Sequence, residues 1–555
     1  MLQTKRWATV AAAVVSIGWP GVCAAATLNV PGDFATIQAC IDAAVSGVDE
    51  CVVAPGTYHG TINFLGKAIT MRSSGGAAVT RIDATGLGGS VVTCRSGEIQ
   101  ETVLNGFTIS GGTGTDLDLI GNGRTYGGGM LNYYSSPTVN NCIFSGNTTT
   151  YYGGGMYNVG SSATVTNCTF NGNTVTYFGG AMYNDGGSPT ITNCTFRENT
   201  ATHSDSGSGG GMYNSYSHPM VTHCTFSGNR ANDGGGMANH AFSPTITNCT
   251  FSGNTATHSV LGSGGAMYND GGSPRITNCN FSGNTAYGGG GMANHSSSPK
   301  VTNCTFNGNT AIYSGGGMDN GRGAPTITNC NFSGNTAYDG GGMANYLSSP
   351  TVTNCTFSGN TAYGGGGIDN SGSGSGSSPT VTNCILWGDR PNEIVNRYNS
   401  ITTVRFSDVR RGLPSGTING GGNIDLDPMF VHPPNPGPDG TWGGVDDDYG
   451  DLRLRAGSPC IDAGDPAFVA QPGETDFEGH ARVLCERVDM GAYESGIGDY
   501  DCDQTVDLTD FANWSSCMTG PHGGPYEAGC EGFDFDGDGD VDLLDFGGFQ
   551  RIVGP

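Results

Sequence analysis

Charge is what this chain has least of. Only 13% of its 555 residues are Asp, Glu, Lys or Arg, and 22 basic residues face 48 acidic ones, a net charge of −26. So acidic a chain excludes nucleic acid and anionic membrane surfaces as partners. Also missing are a glycine-rich nucleotide loop, a Gly-x-Ser-x-Gly elbow and a His-Glu-x-x-His helix, which removes three common catalytic architectures. After the first 26 residues no apolar run is long enough to span a bilayer, so no transmembrane segment is expected in the mature chain.

Residues 1–26, MLQTKRWATVAAAVVSIGWPGVCAAA, are the apolar exception. Lys5 and Arg6 precede the apolar run, Gly18, Pro20 and Gly21 cut it short, and Ala24, Ala25 and Ala26 supply small residues for cleavage. That is the pattern of a secretory signal peptide. It predicts a secreted or cell-surface protein.

What the chain has in excess is glycine, 97 residues, and repetition. An Asn-Cys step (once His-Cys) places cysteines at 142, 168, 194, 224, 249, 279, 304, 330, 355 and 384, spaced 25 to 30 residues apart. A Gly-Gly-x-Met step places methionines at 130, 156, 182, 212, 237, 267, 292, 318 and 343, with Ile368 as the tenth, and Asn follows two residues after each. Periods of this size mean a solenoid. Segments such as TVTNCTF are short, β-branched and alternating, with Gly and Asn between them. The predicted fold is all-β: a right-handed parallel β-helix, followed by a small C-terminal helical module.

Each coil should bury Val or Ile, Cys, Phe and Met, for example Ile191, Cys194, Phe196 and Met182. Stacking at ~4.8 Å per coil makes each of these a ladder, and ten coils would run ~48 Å. The Asn after the strand, as at Asn193, Asn248 and Asn278, tolerates a left-handed turn and can bond its copies above and below. Cysteines in register on parallel strands point the same way, a poor disulfide geometry. The favoured reading is therefore a row of buried free thiols, against disulfides along the ladder or, more remotely, a metal row. Outside the ladder, the expected disulfides are Cys40–Cys51, Cys460–Cys485 and Cys517–Cys530.

The stretch Phe34–Gly47 has apolar residues at helical spacing and leads into strands through Pro55-Gly-Thr-Tyr58. It resembles the N-terminal cap and first coil of pectate-lyase-like β-helices. The runs NIDLDPMFV, GSPCIDAG and VDMGAYE resemble closing coils of bacterial surface β-helix proteins. The steps GGAM or GGGM and FSGN, FNGN or FREN over 128–384 resemble the repeats of chlamydial polymorphic membrane proteins. The alternating ten-residue strands of those proteins' membrane barrel are not read here, so the resemblance implies fold and surface exposure rather than autotransport. The expected organisation is a signal peptide at 1–26, cap helix and first coils at 27–127, and ten repeats at 128–384. Closing coils follow at 385–497 and a separate module at 498–555.

Residues 130–384 carry Arg197, Arg230, Arg275, Lys300 and Arg322 as their only Lys or Arg, with eight acids scattered over different coil positions. Asp319 and Asp369 share one offset two coils apart, ~10 Å, near the spacing of an inverting carboxylate pair. With no His or Arg converging on them, they read as solvated surface acids. His203 and His258 lie in the two longer coils, whose insertions should bulge from one edge and shape a rim. Tyr157, Tyr183, Tyr213 and Tyr268 share an outward offset and are candidate sugar-stacking residues. The near-identity of the coils favours a non-catalytic surface protein contacting glycans or cells. The alternative is a polysaccharide lyase or glycoside hydrolase of the pectate-lyase-like class.

The sharpest chemical pattern is at the end. DYDCDQTVDLTD and DFDGDGDVDLLD both place Asp at loop positions 1, 3, 5, 9 and 12, the calcium spacing of an EF-hand, and a helix-like run follows each. The predicted Ca2+ ligands are Asp499, Asp501, Asp503, Thr505 (carbonyl), Asp507 and Asp510, then Asp534, Asp536, Asp538, Asp540 (carbonyl), Asp542 and Asp545. Two such units about 35 residues apart resemble type I dockerin, the module that docks enzymes onto cohesin scaffolds. The resemblance implies a cohesin-like or other surface-protein partner. Gln504 in place of the loop glycine, and Leu508-Thr509 and Leu543-Leu544 in place of polar pairs, depart from the cohesin-binding pattern.

Overall fold

Most repeats hold three or four short segments of two to four residues, too short to stand alone, and each finds its partner one coil away. In the computed structural model this produces three long parallel sheets of 16, 14 and 13 strands. A shorter sheet of seven strands, Thr148–Thr149 to Thr310–Ser314, runs beside the 13-stranded one. The chain is thus a parallel β-solenoid, as its periodicity predicts. The structure describes residues 25–117, 123–258, 262–485, 487–497, 499–503, 506, 508–520, 526, 530–535 and 540–553. All but two of the leader residues, and Gln504, Thr505, Asp507, Asp536, Asp538 and Gly539 of the acidic loops, lie outside them.

The register aligns like with like. Val165 pairs with Ile191, Phe170 with Phe196 and Met156 with Met182. Phe144 to Phe357 form one stack with ring centroids 4.5 to 5.0 Å apart. Each fully buried ring is worth roughly 1.5–3 kcal/mol in apolar area alone. The glycines before Met are fixed by the same stacking: a Cβ on Gly180 would lie 2.2 Å from the carbonyl oxygen of Gly210 in the next coil.

The ten ladder cysteines are buried and free. Most donate their backbone N–H to the next sulfur, as Cys224 does to Cys249 at 3.4 Å. The Asn preceding each cysteine adopts the expected left-handed turn, φ 53° at Asn193 and 54° at Asn248. The continuous amide ladders, however, run through two other rows. In one, Asn132 to Asn370 donate Nδ2 to the next Oδ1 at 2.7 to 2.9 Å. In the other, Asn147 to Asn360 each bond the next Asn, and Asp389 ends the row by accepting from Asn360 N and Nδ2 at 2.8 Å.

The N-terminal end is closed by helix α1 (Ile37–Ala43), N-capped by Thr36 and bound to the first coil by Cys40–Cys51. The C-terminal end departs from expectation. The last coil strand is Thr417–Asn419, and residues 427–497 are a strap running back outside the solenoid rather than further coils. Asn329 Nδ2 donates to Thr475 O at 2.6 Å, Asn331 to Tyr493 Oη at 3.0 Å and Ser333 to Tyr449 O at 2.7 Å. The strap is pinned internally by Arg482, fully buried 3.0 Å from Glu494. The expected Cys460–Cys485 disulfide is not formed. Cys485 pairs with Cys502, tying strap to tail, while Cys460 is buried under the last coil with its thiol 3.4 Å from Asp408 Oδ2. Cys517–Cys530 forms as expected. The tail contributes helices α2 (Leu508–Cys517) and α3 (Leu543–Val553), packed through Trp514, Phe533, Val541 and Phe549.

Candidate functional site

Strand alternation sends Met and Asn of each Met-x-Asn-x segment inward and leaves the other two residues on the outer face of the 13-stranded sheet. Following the register coil by coil, the first outward row reads Tyr157, Tyr183, Tyr213, Ala238, Tyr268, Ala293, Asp319, Ala344 and Asp369. This row varies, contrary to the expectation of near-identical outward positions. It divides the face into three zones.

The first zone is closed. Tyr157 and Tyr183, expected to be free for sugar stacking, are each 5% exposed. Tyr152, from the loop preceding the strand, stacks on Tyr183 at 4.2 Å and lies 5.8 Å from Tyr157. The aromatic loop residues Tyr151, Tyr152 and Phe178 fold over the face and use up its ring surfaces.

The second zone is open. Ala238 stands between Tyr213 and Tyr268, which are two coil rises apart, ~10 Å. A slot of about 250 Å³ results. Tyr183 stacks on Tyr213 (5.1 Å, 16°) and Phe178 packs on it at a tilt (4.8 Å, 41°), while Tyr268 has no stacking partner among the described residues. Asp205, Ser206 and Ser208 of the first long-coil insertion line the rim, as the insertion's position predicts. His203 is bound into that insertion, stacked on Tyr177 at 4.5 Å and accepting from Asp205 N at 3.2 Å. Asp233 and Asp270 line the slot. Asp270 Oδ2 is 3.0 Å from His240 Nδ1 and its other oxygen 3.9 Å from His295 Nδ1. Burial raises the Asp233 carboxyl above its ordinary range, outweighing the Ser263 N–H it accepts and the field of His258.

The third zone is acidic and locked. Asp369 is buried and so is not the solvated acid expected. Arg397, beyond the ten repeats, puts one Nη2 2.9 Å from both Asp369 Oδ2 and Asp339 Oδ1. Gly364 makes room for this, since a Cβ there would lie 2.1 Å from that nitrogen and 2.4 Å from the Asp369 oxygen. Burial also raises Asp369's carboxyl, against Gly365 N–H and Arg397. Asp319, two coils away beside Ser314, is pushed by burial up to about 7. Tyr287, Tyr313, Tyr338 and Tyr363 border the zone in a self-stacked row, centroids 5.0 to 6.1 Å apart, so the facing sides are occupied by one another while Tyr363 at the end stays 76% exposed.

In the tail, carboxylate oxygens of Asp499, Asp501 and Asp503 lie within 4.8 Å of one another, and so do those of Asp540, Asp542 and Asp545. Asp510 and Asp545, at position 12 of each loop, are buried and accept backbone N–H groups from Tyr500 and Phe535 at 2.7 Å, which folds each loop onto its helix. An all-oxygen, acid-rich donor set of this kind suits a hard divalent cation. Asp476, Glu478 and His480 also gather, but Asp476 Oδ1 accepts the N–H groups of residues 478, 479 and 480 at 2.9 Å, which makes it a turn brace.

The architecture defines the class, a parallel β-solenoid with one variable outer face. Residues 62–241, 156–320 and 237–409 match the right-handed β-helix region family, well over half the chain in all. The protein belongs to that family. Solved structures to which the chain is similar include pectate lyase Pel9A, at 12% identity over 85% of this chain and 96% of that one, TM-score 0.30. Others are the Dettilon tailspike protein, at 12% over 62% and 66%, TM-score 0.29, and a GH87 alpha-1,3-glucanase from Streptomyces thermodiastaticus, at 15% over 74% and 70%, TM-score 0.25. No curated protein matches the sequence.

Proposed function

We propose that this is an exported, non-catalytic β-helix protein that holds a polysaccharide on the outer face of its 13-stranded sheet. In this reading it is attached or assembled through a calcium-loaded, dockerin-like tail. The observation that carries the glycan reading is the Tyr213–Ala238–Tyr268 slot: ring-sized, walled by tyrosines and edged by carboxylates and His240. That is the combination of apolar faces and hydrogen-bonding edges that sugars require.

For the tail, Asp499, Asp501, Asp503, Asp510, Asp540, Asp542 and Asp545 would hold calcium, with Thr505, Asp507, Asp534, Asp536 and Asp538 completing the two loops. Bound calcium would offset the mutual repulsion of 13 acids that face only Arg551 over residues 498–555. The partner would be a cohesin-like or other surface protein.

Ala238→Tyr tests the glycan reading with little risk to the fold. The alanine Cβ stands 2.8 Å from the Cβ position of Gly234, and Tyr213 has the same relation to Gly209, so this backbone already carries tyrosine one coil earlier. The variant should fold normally, fill the slot and lose binding to whichever member of a glycan panel the unmodified protein retains. Undiminished binding would remove the slot from the site. A second reading, polysaccharide cleavage, is favoured by the Asp319 carboxyl poised at about 7 near Asp369. Release of reducing ends or unsaturated products from the panel would establish it and overturn the non-catalytic reading.

A further inference from the structure

We propose that the slot over Ala238 takes a protonated amino sugar, so that the glycan held on this face is a cationic, amine-bearing polymer. The inference rests on the polysaccharide reading above and adds its charge class.

Three aspartates, Asp205, Asp233 and Asp270, line the slot, with His240 as the only basic residue among its lining. Asp270 is already engaged by His240 at 3.0 Å. Asp233 accepts the backbone N–H of Ser263 at 2.9 Å and, of cations, feels only the field of His258, and no Lys or Arg lines the slot. Charge left this way calls for a cation from outside. A uronate polymer would bring a carboxylate against these three and be repelled.

A bare metal ion is not what the slot is shaped for. Where carboxylates of the described residues gather tightly enough for one, as at Asp499, Asp501 and Asp503, their oxygens lie within 4.8 Å of one another. The slot's aspartates form no such group. They are spread around about 250 Å³, the size of a sugar ring rather than an ion. The walls agree with an organic cation. Tyr213 is packed by Tyr183 and Phe178, which leaves the unstacked ring of Tyr268 as the wall that faces a bound ring. An ammonium carried on a pyranose can meet a tyrosine face and a carboxylate edge together.

Isothermal titration of the full-length protein with hexamers of glucosamine, N-acetylglucosamine, galacturonate and glucose tests this. The glucosamine hexamer should bind, with N-acetylation weakening it about tenfold or more and galacturonate binding least. Asp233→Asn keeps an oxygen for Ser263 N–H. It should weaken glucosamine binding about tenfold while leaving the weak N-acetylglucosamine binding unchanged. Equal or tighter binding of N-acetylglucosamine, glucose or galacturonate would overturn the charge assignment and spare the polysaccharide reading. Loss of neither charge preference nor affinity in Asp233→Asn would overturn the slot as its seat. Binding of none of the four overturns the inference, and the polysaccharide reading then falls or stands on the wider panel.

Discussion

Replacing Asn254 by alanine measures how much one rung of an amide ladder contributes. The residue is fully buried. Its Oδ1 accepts Asn229 N and Nδ2, both at 3.0 Å, and its Nδ2 donates to Phe226 O at 2.9 Å and Asn284 Oδ1 at 3.0 Å. Alanine removes all four bonds and strands two donors of Asn229 in the interior, where each unmade bond costs about 1–3 kcal/mol. With the carbonyl of Phe226 also under-satisfied and some relaxation allowed, the loss should be about 3–5 kcal/mol. Because each coil touches only its neighbours, the damage should stay local. Urea denaturation followed by circular dichroism gives the magnitude, and hydrogen exchange read by mass spectrometry gives the place, expected over residues 220–290. Thr250→Ala, on the outward face of the same coil, should stay within about 0.5 kcal/mol. A loss below about 1 kcal/mol for Asn254→Ala, with exchange unchanged, would refute the claim that this row holds the coils in register.

Three further outcomes are expected. Calcium added to the full-length protein should increase helix content and bind at two sites, and Asp510→Ala and Asp545→Ala should each remove one; no heat and no gain of helix would end the calcium reading. Alkylation of native protein should spare Cys142 to Cys384 and label them after denaturation without reductant, because burial blocks access; non-reducing peptide maps should contain Cys485–Cys502 and an unpaired Cys460. At the C-terminal coil, burial and the neighbouring Asp389 carboxylate hold Glu393 protonated well above the usual carboxylate range. The folded state therefore keeps a proton the unfolded chain releases near pH 4.5, and this group's own contribution to stability should fall by about 1.4 kcal/mol per pH unit from there up to its folded value of about 10. Glu393→Gln should reduce the slope by that amount, Asp319 and Asp389 keeping part of the rest; an unchanged slope in that variant would assign it elsewhere.

Much of the solenoid is legible because its period is strict. Ile191, Cys194, Phe196 and Met182 could be assigned inward from alternation alone, since a one-residue slip would turn every one of them to solvent. The free cysteine ladder followed from parallel register. Legibility failed where contacts cross long sequence distances. Nothing local in Thr475 or Tyr493 says that they meet Asn329 and Asn331, so by its sequence the strap resembles further coils and Cys460 looks like the partner of Cys485. Arg397 lies beyond the repeats, so residues 130–384 alone do not show its convergence on Asp339 and Asp369. The burial of Tyr157 and Tyr183 depended on Tyr152 and Phe178, loop aromatics whose direction alternation does not set. A signal was nonetheless present. Reading the residue after each methionine as a column exposes the change from Tyr to Ala and Asp that opens the slot.

That column explains how so repetitive a chain acquires a particular site. Inward rows are constrained by stacking: a changed Phe or Asn would break contacts with the coils on both sides, so these positions repeat. An outward residue touches only its own neighbours and the loop above it, so it can vary without cost to the ladders. Alanine at every second coil after Tyr213 would by itself give three notches, over Ala238, Ala293 and Ala344. The loops set apart the first and the last. Over Ala344, Arg397 draws Asp339 and Asp369 together and closes the zone with charge satisfied from within. Over Ala238, the insertion carrying Asp205 bulges outward, and Asp233 and Asp270 are left to face the space between two tyrosines. The repeat thus supplies a rigid ruler, and specificity comes from the two places where it is broken, the alanine in the row and the insertion in the loop.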